Sequence, residues 1–359
     1  MIKSALIGCG LVADQHLAQI QRVPGGQVVG VCDTEPLMAR QLADRFHVPN
    51  FFSDAAVMLK TVRPDVVHIT TPAQTHFPLG KLCLESGCHV YMEKPFSVTA
   101  PQAEELLGLA ESKGMKMTVG HNLQFNPEAI RMRALVQSGF LGGAPTHIDC
   151  VQCFSHDDPT YGKALLGDRT HWVRSLPGSL LQNLISHGLA KIAEFLPVPR
   201  PTVMAHAYSS PYLRSLGQTD VLDELRAIIS AGDNTTAFFT FSTQLGVGHN
   251  HICLYGKKGT VIADCANRML IPIQPKGYKS YLRYFLTPLI YAGYYRRNSW
   301  HNVKRFLKKD FHMDYSMKML IQLFYQSIQE KTPPPIPYRE ILTTAWMMDD
   351  IFAQIRKAA

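Results

Sequence analysis

Cysteine is scarce, with eight residues in 359. That is too few to staple a chain of this length, so a disulfide scaffold is excluded. Long apolar runs are missing too. No stretch of about 18 apolar residues occurs, so no helix is expected to span a membrane. The first apolar run, Ala5–Ile7, is short and leads straight into a glycine turn. It reads as a buried strand and not as a secretory signal, which leaves a soluble cytoplasmic protein as the default expectation. There is no internal repeat and no low-complexity tract. Charged residues make up 18% and apolar residues 46%. That balance excludes a disordered or fibrous chain and, at about 150 residues per domain, suits two cores.

Acidic residues are absent from one whole segment. Between Lys276 and Lys309 there are nine Lys and Arg and no Asp or Glu. The net charge of +8 therefore sits in that segment, and the rest of the chain is close to neutral. A local basic feature without a recognised nucleic-acid module argues against nucleic-acid binding.

What is present is first an alternation. Ser4–Ile7, Val28–Cys32, Val66–Thr70, Val90–Met92 and Met115–Val119 are short apolar, often β-branched runs. Helix-like stretches separate them: Val12–Arg22, Pro36–Phe46, Ala55–Thr61, Thr75–Ser86 and Ala100–Lys113. Strands with few polar residues, alternating with helices, predict a doubly wound parallel sheet of the Rossmann type over residues 1–122. Residues 123–359 read differently. A helix near Glu128–Ser138, a strand near Thr146–Phe154 and a helix near Leu180–Leu196 lead into six strand-like runs joined by short turns. The runs are Thr202–Ala207, Leu225–Ile229, Thr235–Phe241, His251–Tyr255, Thr260–Ala263 and Met269–Ile273. They predict a mostly antiparallel sheet, and a last helix is expected near Ile341–Arg356.

Gly8-Cys9-Gly10-Leu11-Val12-Ala13 fits G-x-G-x-x-A between the first strand and first helix, the context this dinucleotide motif needs. Gly8 permits the tight turn, Gly10 lets backbone approach a pyrophosphate, and Ala13 allows close packing of helix on strand. The helix start offers free N–H groups to phosphate. Asp33 ends the second strand, 23 residues after Gly10, where a carboxylate can bond ribose hydroxyls and repels a 2′-phosphate. NAD is therefore favoured over NADP. Glu93-Lys94-Pro95 follows the fourth strand run, at the carboxyl end of the sheet where ligands bind. Lys94 there can donate to a substrate oxygen and stabilise an alkoxide.

With Thr71-Pro72, His76 and the stretch Gly120-His121-Asn122-Leu123-Gln124-Phe125-Asn126-Pro127, these motifs resemble the Gfo/Idh/MocA oxidoreductases over nearly the whole chain. The resemblance implies a Rossmann domain, a C-terminal open-faced sheet domain, assembly as homodimers or homotetramers, and hydride transfer at a sugar or cyclitol carbon. It implies NAD contacts at Gly8, Gly10, Leu11, Val12, Ala13, Asp33, Thr71, Pro72, His76, Glu93, Lys94 and Asn122. Leu123 and Gln124 stand where the family commonly has arginines. The family's catalytic helix commonly reads Asp-x-x-x-His; here it reads Asn183-Leu184-Ile185-Ser186-His187. Positions i and i+4 share a helix face, so Asn183 and His187 lie on one polar stripe with Glu194. Asn183 cannot ionise, so it can orient a substrate but not act as base. Proton transfer falls to His187, with Lys94 as neighbour. This departure fits members acting on nucleotide-linked sugars.

Substrate contacts are expected among His121, Gln124, His156, Tyr161, His171, Trp172 and Arg174. Trp172 could stack on a sugar face, and Arg174 could pair with a carboxylate or phosphate. No histidines have metal-ligand spacing on a helix, so no metal is expected. Cys150 and Cys153 have C-x-x-C spacing within a strand, where residues three apart point to opposite faces, so they read as two separate buried thiols.

The reading is an NAD-dependent sugar dehydrogenase acting at a secondary alcohol of a hexose derivative, with a nucleotide- or lipid-linked substrate, as in surface-polysaccharide synthesis, left open. Two others stay open: a redox-neutral cycle on resident NAD that cleaves a glycoside or epimerises a sugar, and a non-catalytic NAD-linked sensor or scaffold. The 276–309 segment carries nine aromatic residues among its nine cations. It suits peripheral contact with an anionic membrane, a lid over a phosphate-bearing substrate, or an oligomer contact.

Overall fold

Six short strands form the first sheet: β1 (Ile2–Ile7), β2 (Gly26–Cys32), β3 (Phe51–Phe52), β4 (Val66–Ile69), β5 (His89–Met92) and β6 (Met117–Val119). All are parallel, in the order β3-β2-β1-β4-β5-β6. The crossovers are helical: α1 (Ala13–Ile20), α2 (Pro36–Phe46), α3 (Ala55–Val62), α4 (His76–Glu85) and α5 (Ala100–Ser112). β4 is buried along its whole length, which is why these strands read as apolar runs without alternation. The order reverses between β1 and β4, so the carboxyl ends of these two strands mark the crevice where such sheets take ligands. The computed structural model describes residues 1–156, 167–232, 234–275, 277–308, 311 and 315–358.

The chain divides into two units, Met1–Asn122 with Ser316–Trp346 and Leu123–Tyr315 with Met347–Ala359. The second is built on α6 (Pro127–Gln137), β7 (His147–Cys153), α7 (Ser179–Leu184), α8 (Ser186–Ala193), β8 (Thr202–Tyr208), α9 (Pro211–Ser215), β9 (Glu224–Ala231), β10 (Thr235–Ser242), β11 (His251–Tyr255), β12 (Thr260–Asp264), β13 (Met269–Ile273) and α10 (Ser280–Leu307). Its seven strands run β13-β12-β11-β7-β10-β9-β8, with β7 and β10 parallel and the other pairs antiparallel. One face carries the core, where Leu189, Ile192, Phe239, Phe241 and Leu254 meet. On the other face Met204, Ile228 and Phe238 stand in register and exposed. Cys150 and Cys153 of β7 are separate buried thiols, and every described cysteine is free.

Two helices close the chain. α11 (Tyr315–Gln329) buries Leu320, Ile321, Phe324 and Tyr325. α12 (Tyr338–Ala358) ends the fold. The single helix expected over residues 180–196 is two, because Ile185 forms a turn between α7 and α8. Ile185 N bonds Leu181 O and Leu189 N bonds Ile185 O, so the turn links the two helices directly, with Asn183 on α7 and His187 on α8. Gly188 explains the close seat of α8 on the sheet. A Cβ there would meet the Phe239 ring at 2.3 Å.

Candidate functional site

In the first unit the glycine loop is shaped by steric necessity. Gly8 has φ +98°, and a Cβ there would fall 2.7 Å from the Thr71 side chain. Only glycine fits both constraints. At Gly10 a Cβ would meet nothing, so the space over that backbone is open for a ligand. Leu11 is exposed, and no side chain caps the start of α1, which leaves its first amides for an anion. Ala13 is fully buried against the sheet.

Asp33 is tied to that loop. Its Oδ2 accepts from Cys9 N at 2.6 Å and its Oδ1 from Glu35 N at 2.9 Å. The carboxylate is thereby fixed at the β2 end while each oxygen keeps acceptor capacity for a hydroxyl. Arg45, a cation close to the loop, is paired with Asp14 at 2.7 Å. The donor set fits a diol-bearing adenosine ribose better than a 2′-phosphate.

The turns after β4 and β5 are bolted together. Thr70 Oγ1 donates to Gly8 O at 2.6 Å, and Thr75 Oγ1 to Thr71 Oγ1 at 2.7 Å. Buried His76 spans Thr71 O and Pro95 O, each at 2.9 Å. It acts as a strut between the Thr71-Pro72 turn and the Glu93-Lys94-Pro95 turn, whose Lys94–Pro95 bond is cis. Glu93 is buried, and Lys94 is half-buried. Burial works most strongly against ionisation of Glu93, but the His16 hydrogen bond, the neighbouring His16 and Lys94 side chains and the Lys94 amide together outweigh it and keep the carboxyl below its ordinary range. Burial draws the Lys94 ammonium below the ordinary lysine range, with Glu93 opposing. Gly120 makes room for that carboxylate, since a Cβ there would lie 2.7 Å from Glu93 Oε1. His121 lies buried beside the pair, its imidazole pushed down to about 3 chiefly by burial. Asn122 is half-buried at the end of this unit.

Behind Glu93 runs a chain of buried hydrogen bonds that sequence reasoning missed. Glu93 Oε1 meets His16 Nε2 at 2.9 Å, His16 Nδ1 meets His68 Nδ1 at 3.0 Å, His68 Nε2 meets Tyr325 OH at 2.9 Å, and Tyr325 OH meets Ser4 Oγ at 2.6 Å. The carboxylate only accepts, so His16 Nε2–H donates to it. Neutral rings then admit one direction: His68 Nδ1–H donates to His16, and Tyr325 O–H donates to His68. Burial holds the His68 imidazole well below its ordinary range, as this requires. Tyr91 stacks on His68 with centroids 4.8 Å apart. No local motif marks His16, His68 or Tyr325, since they meet only through the fold.

In the second unit Asn183 is buried and His187 half-buried. α8 is anchored by Glu194 beyond its end, which takes Arg133 Nε at 2.5 Å and Gln124 Nε2 at 3.2 Å. Gln124 is itself buried and also donates to Ala190 O at 3.2 Å, so its amide is engaged with the helix. Lys191, another residue not singled out from sequence, is buried on α8 with Nζ 3.4 Å from Cys265 Sγ. Arg174 binds Asp220 at 2.8 Å and Gln218 at 2.7 Å. Trp172 stacks on His171 and packs on the Val173–Leu180–Leu213–Val221 cluster. His156 bonds Asp223 at 2.9 Å. Tyr161 lies outside the described residues. Among the described residues no group of three or more His, Cys, Asp or Glu is placed to hold a metal ion.

Residues 2–121 match the profile of the GFO_IDH_MocA oxidoreductase family, NAD-binding Rossmann fold. The match covers the parallel-sheet part of the first unit. Over 142 residues this chain is 32% identical to D-glucoside 3-dehydrogenase of Escherichia coli, a match covering 39% of the chain and 40% of that protein. Over 148 residues it is 28% identical to UDP-N-acetylglucosamine 3-dehydrogenase of Acidithiobacillus ferrooxidans, covering 41% and 44%. The matching segment thus spans about two-fifths of these curated relatives. The whole fold is similar to the WlbA dehydrogenase from Bordetella pertussis, solved with NADH and UDP-GlcNAcA, at a TM-score of 0.79 and 16% identity, covering 100% of this chain and 96% of that one. At that identity the likeness speaks for the fold alone.

Proposed function

We propose that the protein is an NAD-dependent oxidoreductase that transfers a hydride at a secondary alcohol of a sugar derivative. The observation that carries this reading is the half-buried Lys94, held against ionised Glu93 at the end of β5 in the unit that also holds the Gly8–Gly10 loop and Asp33. Bound NAD would supply the hydride acceptor or donor. The chain's own residues do the rest. Asp33 accepts from the adenosine ribose hydroxyls, and the open backbone at Gly10 with the α1 amides takes the pyrophosphate. The Lys94 ammonium donates to the reacting oxygen and stabilises its developing negative charge. His187 takes or returns the hydroxyl proton, and the Asn183 amide orients the sugar.

The names of the two curated relatives favour a hexopyranose ring as substrate, either as a glycoside or joined to a nucleotide. The exposed row Met204–Ile228–Phe238 supports self-association through the open face of the second sheet.

The test begins with the nucleotide. Purified protein is denatured and any released nucleotide quantified with its redox state. NAD(H) and NADP(H) binding is then measured, and hydride transfer assayed on glucosides and on UDP-sugars. Lys94→Ala should keep NAD binding within about threefold and lower turnover by roughly 10²–10⁴. Binding of neither nucleotide, or full activity in Lys94→Ala, would overturn the proposal.

A further inference from the structure

Most of the acid-free segment forms one continuous helix. α10 runs from Ser280 to Leu307, 28 residues or about 42 Å, and passes through Pro288 without ending. One side holds it to its unit. Buried Asn298 bonds Leu270 N at 3.1 Å and Leu270 O at 2.9 Å, and buried Arg305 stacks on Tyr315 at 4.8 Å. Leu282, Phe285 and Leu289, and again Trp300, Val303 and Leu307, recur at spacings of three and four on the opposite side, where all six are exposed; the two apolar groups are eleven residues apart, with exposed Arg296 on the same side between them. Phe285, Leu289, Trp300 and Leu307 are 69%, 68%, 62% and 74% accessible, an extent that a surface without a partner does not ordinarily show. Exposed Arg283, Arg297, Lys304 and Lys308 follow one shoulder of this stripe, and Tyr281, Tyr295 and Phe306 follow the other.

We propose that α10 docks the protein on an anionic lipid surface, lying in the headgroup plane with the Leu282–Leu307 stripe inserted and its cations over lipid phosphates. Charge complementarity selects this occupant. α10 has no Asp or Glu to pair with the basic shoulder of a second copy, so an antiparallel helix pair would set cation against cation. The open face of the second sheet already offers an apolar row for self-association. A bilayer with acidic headgroups satisfies both halves of the helix, since it accepts apolar side chains and neutralises the shoulder. Aromatic side chains at the boundary suit the headgroup level. The helix lies on the surface and does not cross it: among the described residues no helix is long and apolar enough to span a membrane.

The experiment is co-sedimentation of the full chain with phosphatidylcholine vesicles, with and without about one-third phosphatidylglycerol. Binding is expected on the anionic vesicles at low salt. It should fall at least about tenfold on phosphatidylcholine alone and collapse at ~0.5 M salt. Phe285→Ser with Trp300→Ser should abolish it, and Arg297→Glu with Lys304→Glu should weaken it about tenfold or more, with circular dichroism and NAD binding unchanged. Scattering-detected chromatography runs in parallel. Equal binding to both vesicle types overturns the proposal, as does no binding at low salt. A serine variant that turns an oligomer into monomers, without vesicle binding by the parent, assigns the stripe to a second copy instead.

Discussion

Gly8 is the position where one added methyl group should cost most. It combines a positive φ with a virtual Cβ 2.7 Å from Thr71, so a side chain is refused twice over. Gly8→Ala should fold with the Asp33–Cys9 contact displaced and weaken NAD binding by about tenfold or more, read by isothermal titration. His121 gives the residue scale a pH signature. Burial pushes its imidazole from the ordinary 6.5 to about 3. The unfolded chain therefore takes up a proton near pH 6.5 that the folded chain refuses until about pH 3. The stability contributed by neutral His121 is fully present above pH 6.5. It is lost at about 1.4 kcal/mol per pH unit as pH falls toward 3. Buried His68 and His76, also lowered chiefly by burial, act in the same sense. Urea midpoints at pH 7 and pH 5 report the slope, and a His121 ring signal that titrates near 6.5 in nuclear magnetic resonance spectra would falsify the assignment.

Among the elements, α11 matters beyond its packing. Tyr325 closes the hydrogen-bond chain that reaches Glu93. Tyr325→Phe keeps the ring and leaves His68 Nε2 and Ser4 Oγ facing an apolar edge. It should cost about 1–3 kcal/mol in chemical denaturation. The His68 ring should keep its Nδ1–H, which the Glu93–His16 end dictates, while its Nε2, stripped of a donor, should shift in ¹⁵N spectra; an unchanged Nε2 signal would separate the helix from the chain. This element was also the hardest to read in advance. The parallel sheet was legible because buried strands such as Val66–Ile69 are apolar throughout, and Asp33 and Lys94 were legible because their spacing from glycine and strand signals is local. β3 is two residues long and left no pattern. α10 was obscured by Pro288 and Gly293 and by an apolar stripe that faces away from its own unit. α11 follows directly on a basic segment, and its buried residues answer to strands more than 200 residues earlier. His16 and His68 look like any core histidines until that distant tyrosine is supplied.

At the scale of the whole molecule, NAD should act as a stabiliser as well as a reactant. A ligand at 100 times its Kd adds about 2.7 kcal/mol to the state that binds it. Thermal unfolding should therefore shift upward with NAD and much less with equal NADP, because the Asp33 carboxylate is fixed at the end of β2, where it would accept from ribose hydroxyls and repel a 2′-phosphate. Identical shifts from the two nucleotides would remove the argument for NAD.

The return of α11 to the first unit also sets the order in which a growing chain can be completed. Residues 1–122 are made first, yet the helix bearing Leu320, Phe324 and Tyr325 arrives after the whole second sheet has been translated. At roughly 5–20 residues per second that interval is about 10–40 seconds. During it the nascent sheet lacks the helix that packs Phe324 on Tyr91, and the row of imidazoles is open at its His68 end. A chain released before residue 316 would carry every glycine of the nucleotide loop and still lack the helix that finishes the sheet.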